Sequence, residues 1–263
     1  GLINLHKITQ DPKTLMFAEH MGRTIVERFF DGSKLIPRLD YRYQKLSESI
    51  ESGLIKWSTI SGSYHSKLSI GLLELSRLTK NKEYQHVSES ICNYAISLQK
   101  SSGQFLTNPG SDITHLHPHL YTCEGLIYSG LSQSVDSHYS AGLKGIMWAM
   151  TQTLTNKRGG LGATTRKDSA EQSDGTAQLL RLLILCRSQI QKNMDVYKLD
   201  TVINKLHSRL LDFYISTGES QGGFRYHLDL DSVCSWCTMF SMQALHLWKS
   251  RNSETKEWID YFV

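Results

Sequence analysis

Apolar residues fall along this chain with the three-and-four spacing of amphipathic helices, and the pattern returns in blocks. Four blocks share one layout: HSKLSIGLLELSRLTKNKEY at 65–84, HLYTCEGLIYSGLSQSVDSHY at 119–139, QSDGTAQLLRLLILCRSQIQKNMDVY at 172–197 and CTMFSMQALHLWKSRNSETKEW at 237–258. Each reads as an apolar helix, a short polar turn, and an aromatic residue near the start of a second helix. Aligned on Gly71, Gly125, Gln178 and Ala244, the blocks recur at spacings of 54, 53 and 66 residues. Periods of this size predict stacked helical hairpins. The second helices, such as YQHVSESICNYAISLQ and YSAGLKGIMWAMTQ, keep the helical spacing of apolar positions. A glycine turn follows each of the first three hairpins, at QKSSGQF (99–105), NKRGGLG (156–162) and SQGGFRY (220–226). Glycine there supplies a left-handed helix stop, after which the chain runs extended to the next hairpin. One further helix is expected over Pro12–Phe30, ending at Asp31-Gly32-Ser33. The chain thus reads as all-α, with about nine helices and at most short strand-like pairs near Lys34–Leu39 and Gly223–Leu228.

This layout, and in particular GLLELSRLTKNKEYQHVSESICNYAISLQKSSGQF, resembles the hairpins of the (α/α) toroid folds. That group includes six-hairpin glycosidases, polysaccharide lyases, sugar epimerases, terpene cyclases and lanthionine-synthetase-like zinc enzymes. The resemblance covers about residues 12–263 and is one of fold. It implies a toroid or incomplete barrel of about five hairpins, since 263 residues are short for six. The expectation is a single domain over 1–263. Gly1 stands where an initiator Met is expected, which fits a fragment of a longer protein, and five hairpins also fit a ring completed by another chain.

In a toroid the inner helices ring a central funnel, so residues at their entrances are candidates for a site. Six positions before the aligned residue stand His65, His119, Gln172 and Thr238; seven before, Tyr64, Pro118, Glu171 and Cys237; four before, Lys67, Tyr121, Asp174 and Phe240. Purely structural positions in a repeat tend to hold one residue type. Here imidazole, phenol, carboxylate and thiol alternate, as expected of a ring supplying unlike groups to one cavity. The candidate catalytic set is therefore His65, His119, Tyr121, Glu171 and Asp174, with His119 or Tyr121 as base and Glu171 or Asp174 as acid. His115 and His117 read as loop residues. The competing assignment makes His119 a cap and SAEQSDG a capping box. Trp57, Tyr64, Arg225, Tyr226 and Trp236 are expected nearby as a platform for substrate, because sugars stack on aromatic faces and Arg225, with Arg166 and Lys167, suits an acidic sugar. Trp148, Trp248 and Trp258 sit at helix-interior spacing and read as core.

Composition narrows the partners. Net charge is +4, and the 29 Lys and Arg are interspersed with 25 Asp and Glu. No basic stripe marks a nucleic-acid surface. No apolar run reaches the roughly 18 residues that span a bilayer, and no signal-peptide pattern opens the chain, so the expected location is cytoplasmic. The five cysteines fit reduced thiols. CSWC places Cys234 and Cys237 at a spacing used by zinc and by redox pairs, but the ligands to complete a zinc site are not evident, so neither metal nor cofactor is expected. Asp229 and Asp231 in HLDLDSV make a weak match to the acidic motif of terpene cyclases.

The sequence thus leads to an oligosaccharide- or polysaccharide-binding toroid with hydrolase, lyase or epimerase chemistry. The alternative is a non-catalytic glycan-binding or protein-docking toroid, with terpene-cyclase-like and lanthionine-synthetase-like zinc enzymes behind it. The oligomeric state is not legible in the sequence.

Overall fold

The computed structural model describes residues 1–42, 44–46, 57–107, 111–156, 158–192, 194–230 and 232–251. Asp231, Trp258 and the tail of the fourth block from 252 onward lie outside the described residues.

Ten α-helices form among the described residues: α1 Leu2–Thr9, α2 Pro12–Thr24, α3 Ser69–Thr79, α4 Lys82–Ser97, α5 Leu116–Gln133, α6 Asp136–Thr155, α7 Ser173–Leu185, the single turn α8 Arg187–Ile190, α9 Val196–Leu211 and α10 Ser235–Ser250. A π-helical turn at Ile25–Phe29 extends α2, and a 3₁₀ stretch at Ser63–Leu68 leads into α3. Three starts, those of α2, α4 and α9, follow capping chemistry. Asp11 accepts from the Lys13 amide ahead of Pro12 at the first turn of α2, Asn81 accepts from Glu83 N at α4, and Asp195 from Tyr197 N at α9. Each oxygen satisfies a donor the helix itself leaves unpaired. The expected glycine turns are present, with Gly103, Gly159 and Gly222 all at positive φ.

α3 and α4, α5 and α6, and α7 and α9 pair as hairpins. The first helix of each hairpin, together with α10, forms one layer: α5 packs on both α3 and α7, and α7 on α10. The second helices α4, α6 and α9 form the layer outside it, with α6 touching both its neighbours. This is the two-layered, all-α arrangement expected from the repeat. The main core lies between the layers, around Leu120, Leu126, Ile146, Leu179, Leu183 and Leu206. A smaller one, including Ala18, Leu72, Tyr84 and Ile91, lies where α2 meets α3 and α4. Burial of such side chains, at about 1.5–3 kcal/mol each, is what holds the hairpins to one another.

Inner helices approach closely through small residues. A Cβ on Gly125 would stand 2.1 Å from the Ser66 carbonyl oxygen. Around it Ser69 Oγ donates to Gly125 O at 3.1 Å and Thr122 Oγ1 to Ser63 Oγ at 3.0 Å. Gly125, unlike the aligned Gly71, thus marks a close contact between α5 and the 3₁₀ stretch.

Among the described residues the ring does not close on itself. A cleft of about 510 Å³ stands between α1 and α2 on one side and Met239 and Phe240 of α10 on the other. The anticipated strand-like segments are single bridges, Phe30 with Leu35 and Arg225 with Val233 among them. Trp148 and Trp248 are half-buried against the main core, as their spacing implied. Helix α1 was not anticipated, and it buries no residue completely.

Candidate functional site

Helix α5 starts at Leu116, so His117 lies in its first turn and not in a loop. Four residues later, on the same face, stands Tyr121, and the two rings are 4.3 Å apart. His117 also meets Phe240 of α10 at 5.8 Å and Trp57 at 6.4 Å. Trp57 in turn packs edge-on against Tyr64 at 4.9 Å, and Tyr64 against His65 at 4.1 Å.

Asp174, in the first turn of α7, faces this wall. Its Oδ1 accepts from the Gly175 amide at 2.6 Å, and its Oδ2 lies 3.6 Å from His117 Nδ1. Asp174 is 2% exposed. Burial raises the pKa of the Tyr121 phenol well above the usual value, with Glu124 and Asp174 adding to the effect. Burial, then Asp174, pushes Tyr226 up to about 12. Both phenols therefore stay protonated at neutral pH. Tyr226 Oη is 2.5 Å from Gln172 Nε2, and the Tyr226 ring is 6.3 Å from half-exposed Trp236. Asp174, His117, Tyr121, Trp57, Tyr64, Tyr226 and Trp236 thus form a connected wall of rings about one carboxylate.

Beneath Tyr121 lies a buried polar hub that sequence reasoning missed. Glu124 accepts from Lys67 Nζ at 2.5 Å and from Arg181, and Arg181 also donates to Gln243. Burial pushes the Glu124 carboxyl up, but Arg181 and Lys67 outweigh it and hold the carboxyl below its ordinary value. The Arg181 guanidinium also lies 5.1 Å from the Phe240 ring centre. The available signal was charge at axis-facing positions of helices otherwise apolar on that side.

Two expected catalytic residues leave the set. His119 is fully buried on the opposite side of α5, with Nε2 donating to Gly145 O at 3.0 Å and Nδ1 accepting from the Phe105 amide at 3.2 Å. Burial, against those two bonds, lowers its pKa to about 4. It is a neutral staple with no nitrogen left for a substrate. Glu171 precedes α7 in extended backbone and turns the other way from Asp174. It accepts from Gly160 N at 2.9 Å, Asn156 Nδ2 at 2.6 Å and Arg209 Nε at 2.6 Å, tying the 156–160 turn to α9. Arg225 contributes its carbonyl, which accepts from Ser173 Oγ at 2.7 Å.

Solved structures now supply a comparison. The chain is similar to an unsaturated glucuronyl hydrolase specific for heparin, at 10% identity and a TM-score of 0.71 over 95% of this chain and 72% of that one. It is similar to a D-mannose isomerase at 13% identity and a TM-score of 0.71, over 99% and 69% of the two chains. A polysaccharide lyase matches at 10% identity and a TM-score of 0.59, over 97% and 90%. No protein-family model matches the sequence, and no curated protein matches it either. At these identities the likeness is one of fold. The fold is an (α/α) toroid.

The apolar cleft and the chemistry do not coincide. The 510 Å³ cleft is lined chiefly by apolar groups such as Leu2, Ile3, Met21, Ile25 and Leu75, and reaches the polar cluster only at Lys67, Tyr121 and Phe240. We place the site at Asp174 because that is where a carboxylate, an imidazole and several rings converge. Among the described residues no group of three or more His, Cys, Asp or Glu side chains could hold a metal ion, and no helix is long and apolar enough to cross a membrane.

Proposed function

We propose that this chain is a carbohydrate-active enzyme that binds the end of an oligosaccharide or polysaccharide against the aromatic wall, with Asp174 and His117 as its proton-transfer pair. The observation that carries the reading is their juxtaposition, Oδ2 to Nδ1 at 3.6 Å, beside Tyr121 and Trp57. Ring faces bind the C–H surface of a pyranose, while the phenols of Tyr121 and Tyr226 offer hydrogen bonds to its hydroxyls. Asp174 and His117 move a proton on and off the sugar, each group compensating the charge the other gains.

The number of free carboxylates bears on the reaction. Direct hydrolysis of a glycosidic bond ordinarily takes two carboxyl groups flanking it. Among the described residues Asp174 stands alone at the wall, because Glu124 is held by Lys67 and Arg181 and Glu171 by Arg209. One carboxylate with one imidazole suits protonation or deprotonation at a sugar carbon, as in hydration of an unsaturated sugar, β-elimination or epimerisation. The structural neighbours named above include proteins described as a hydrolase of unsaturated glucuronyl groups, a lyase and a sugar isomerase, which supports a reading in this range.

The test is a panel of oligosaccharides, among them chains ending in an unsaturated uronic acid, followed by ultraviolet loss of the double bond and by mass spectrometry of products. Turnover of one of them that is abolished in Asp174→Asn supports the proposal. Saturable binding without turnover supports a glycan-binding toroid instead, and neither binding nor turnover across the panel overturns the sugar reading.

A further inference from the structure

The chemistry above makes no use of the CSWC motif, yet the fold sets its two thiols against the same wall. Cys234 is the N-terminal cap of α10, with extended backbone at φ −129° and ψ 146°, and Cys237 lies in the first turn. Both are free; Cys237 is buried and Cys234 half-buried. Cys237 lies close enough to Cys234, Ser173 and Asp174 for each of them to act on its thiol. A cap residue and the residue three positions on are brought together by the first helical turn, within the roughly 4.4–6.8 Å between Cα atoms that a disulfide requires. Trp236 stands between them in sequence and is 50% exposed.

We propose that Cys234 and Cys237 form a thiol–disulfide exchange site, modified by small disulfides of the glutathione type. Cys234 Sγ, the more accessible sulfur, attacks one sulfur of RS–SR as its thiolate. That S–S bond breaks, a Cys234–SR bond forms and one RS⁻ leaves. Cys237 Sγ then gives up its proton and attacks Cys234 Sγ. The Cys234–SR bond breaks, the Cys234–Cys237 bond forms and the second RS⁻ leaves. The two cysteine protons end on the two RS⁻ groups, so the dithiol is oxidised by two electrons and RS–SR is reduced to two RSH.

The order of attack follows from burial. Cys237 is kept protonated by its buried position, with Asp174 adding to the effect, and so acts second. Cys92 in α4, Cys123 in α5 and Cys186 between α7 and α8 are buried and take no part. Closing the bond draws Cys237 Sγ from Ser173 and fixes the first turn of α10 beside Asp174. The inference does not depend on what the cavity binds.

The experiment equilibrates the full chain with mixtures of reduced and oxidised glutathione, quenches in acid, and alkylates remaining thiols after unfolding. Trypsin releases Tyr226–Lys249, which holds Cys234 and Cys237 and no other cysteine. The expected result is that this peptide loses both alkylation sites and two hydrogens as the oxidised fraction rises, that dithiothreitol reverses the change, and that the other three cysteines still alkylate. Emission from Trp236 should fall in step, an effect absent from Trp236→Phe. Cys237→Ser should retain one glutathione on Cys234, and Cys234→Ser should take none. Glutathione persisting on Cys234 of the wild-type chain overturns the proposal, as does a peptide that stays reduced while a model dithiol in the same buffer oxidises. Both readings come from the wild-type protein, so they stand even if Cys237→Ser fails to fold.

Discussion

Two histidines, two residues apart on one helix, have opposite fates. His119 is sealed between α6 and the 105 loop with both ring nitrogens bonded to backbone. His117 faces Asp174 and three aromatic rings, and among the described residues no nearer partner than the Asp174 carboxylate meets its Nδ1. Successive residues on an α-helix turn by about 100°, so positions two apart point in nearly opposite directions. One imidazole is a cross-link and the other is placed for chemistry. Residue type and sequence neighbourhood do not separate them; the side of the helix does.

The sharpest way to test this contrast is to remove the carboxylate that defines the His117 side. Asp174→Asn keeps the bond to the Gly175 amide but cannot exchange a proton. We expect kcat/KM on a turned-over sugar to fall by a hundredfold or more, on the order of what an acid–base group supplies, with an unchanged melting temperature. A full-activity Asp174→Asn enzyme would move the site elsewhere.

Next in size is a pH effect on the His119 side. Its pKa falls from 6.5 in the unfolded chain to about 4 in the fold. As pH drops below 6.5 the unfolded state takes up the proton first, so stability is full above that value and declines until about pH 4. The shift corresponds to about 3 kcal/mol. His115 and His138 are shifted in the same direction by burial and add the same sign. Urea unfolding at several pH values should show the decline, and His119→Gln should flatten it, whatever stability that variant loses outright. An equal slope in the variant would contradict the assignment of His119 as a neutral staple.

Glu171→Gln asks the same question of the carboxylates. Arg209 retains Asp212 at 2.7 Å but loses its more buried partner. A cost of about 2 kcal/mol is expected, with activity per folded molecule unchanged. A large loss of turnover at normal stability would return Glu171 to the catalytic set. The smallest effect expected is that of Trp236→Ala at the edge of the wall. It should raise KM several-fold, for about 1 kcal/mol of lost ring contact, and leave kcat alone.

The fold was legible because hairpins advertise themselves twice, in helical periodicity and in the glycine stops that recur between them. The site was legible only in part. Rows of equivalent positions named Tyr121 and Asp174, the two of that set that the proposed site uses. The row holding His119 lies two residues from the row holding Tyr121 and therefore on the opposite side of the helix. Pairing by four would have selected His117 with Tyr121 and discarded His119. Glu171 failed for a related reason: a shared face three residues apart presumes a helix, and the helix begins only at Ser173. The hub of Lys67, Glu124, Arg181 and Gln243 was hidden because, apart from Glu124 and Gln243, its members occupy different rows of the repeat and meet only in space.

That hub has a consequence for assembly. Hairpins built on one plan are interchangeable in shape, so a ring made of them risks closing in the wrong order or one turn out of step. Lys67 comes from the stretch leading into α3, Glu124 from α5, Arg181 from α7 and Gln243 from α10. Each is a different chemical group, and each is matched to its neighbours across the axis. Exchanging two hairpins, or sliding one by a turn, would strand a charge in the interior at several kcal/mol. The four residues act as an address system, giving each near-identical unit the one seat it can occupy.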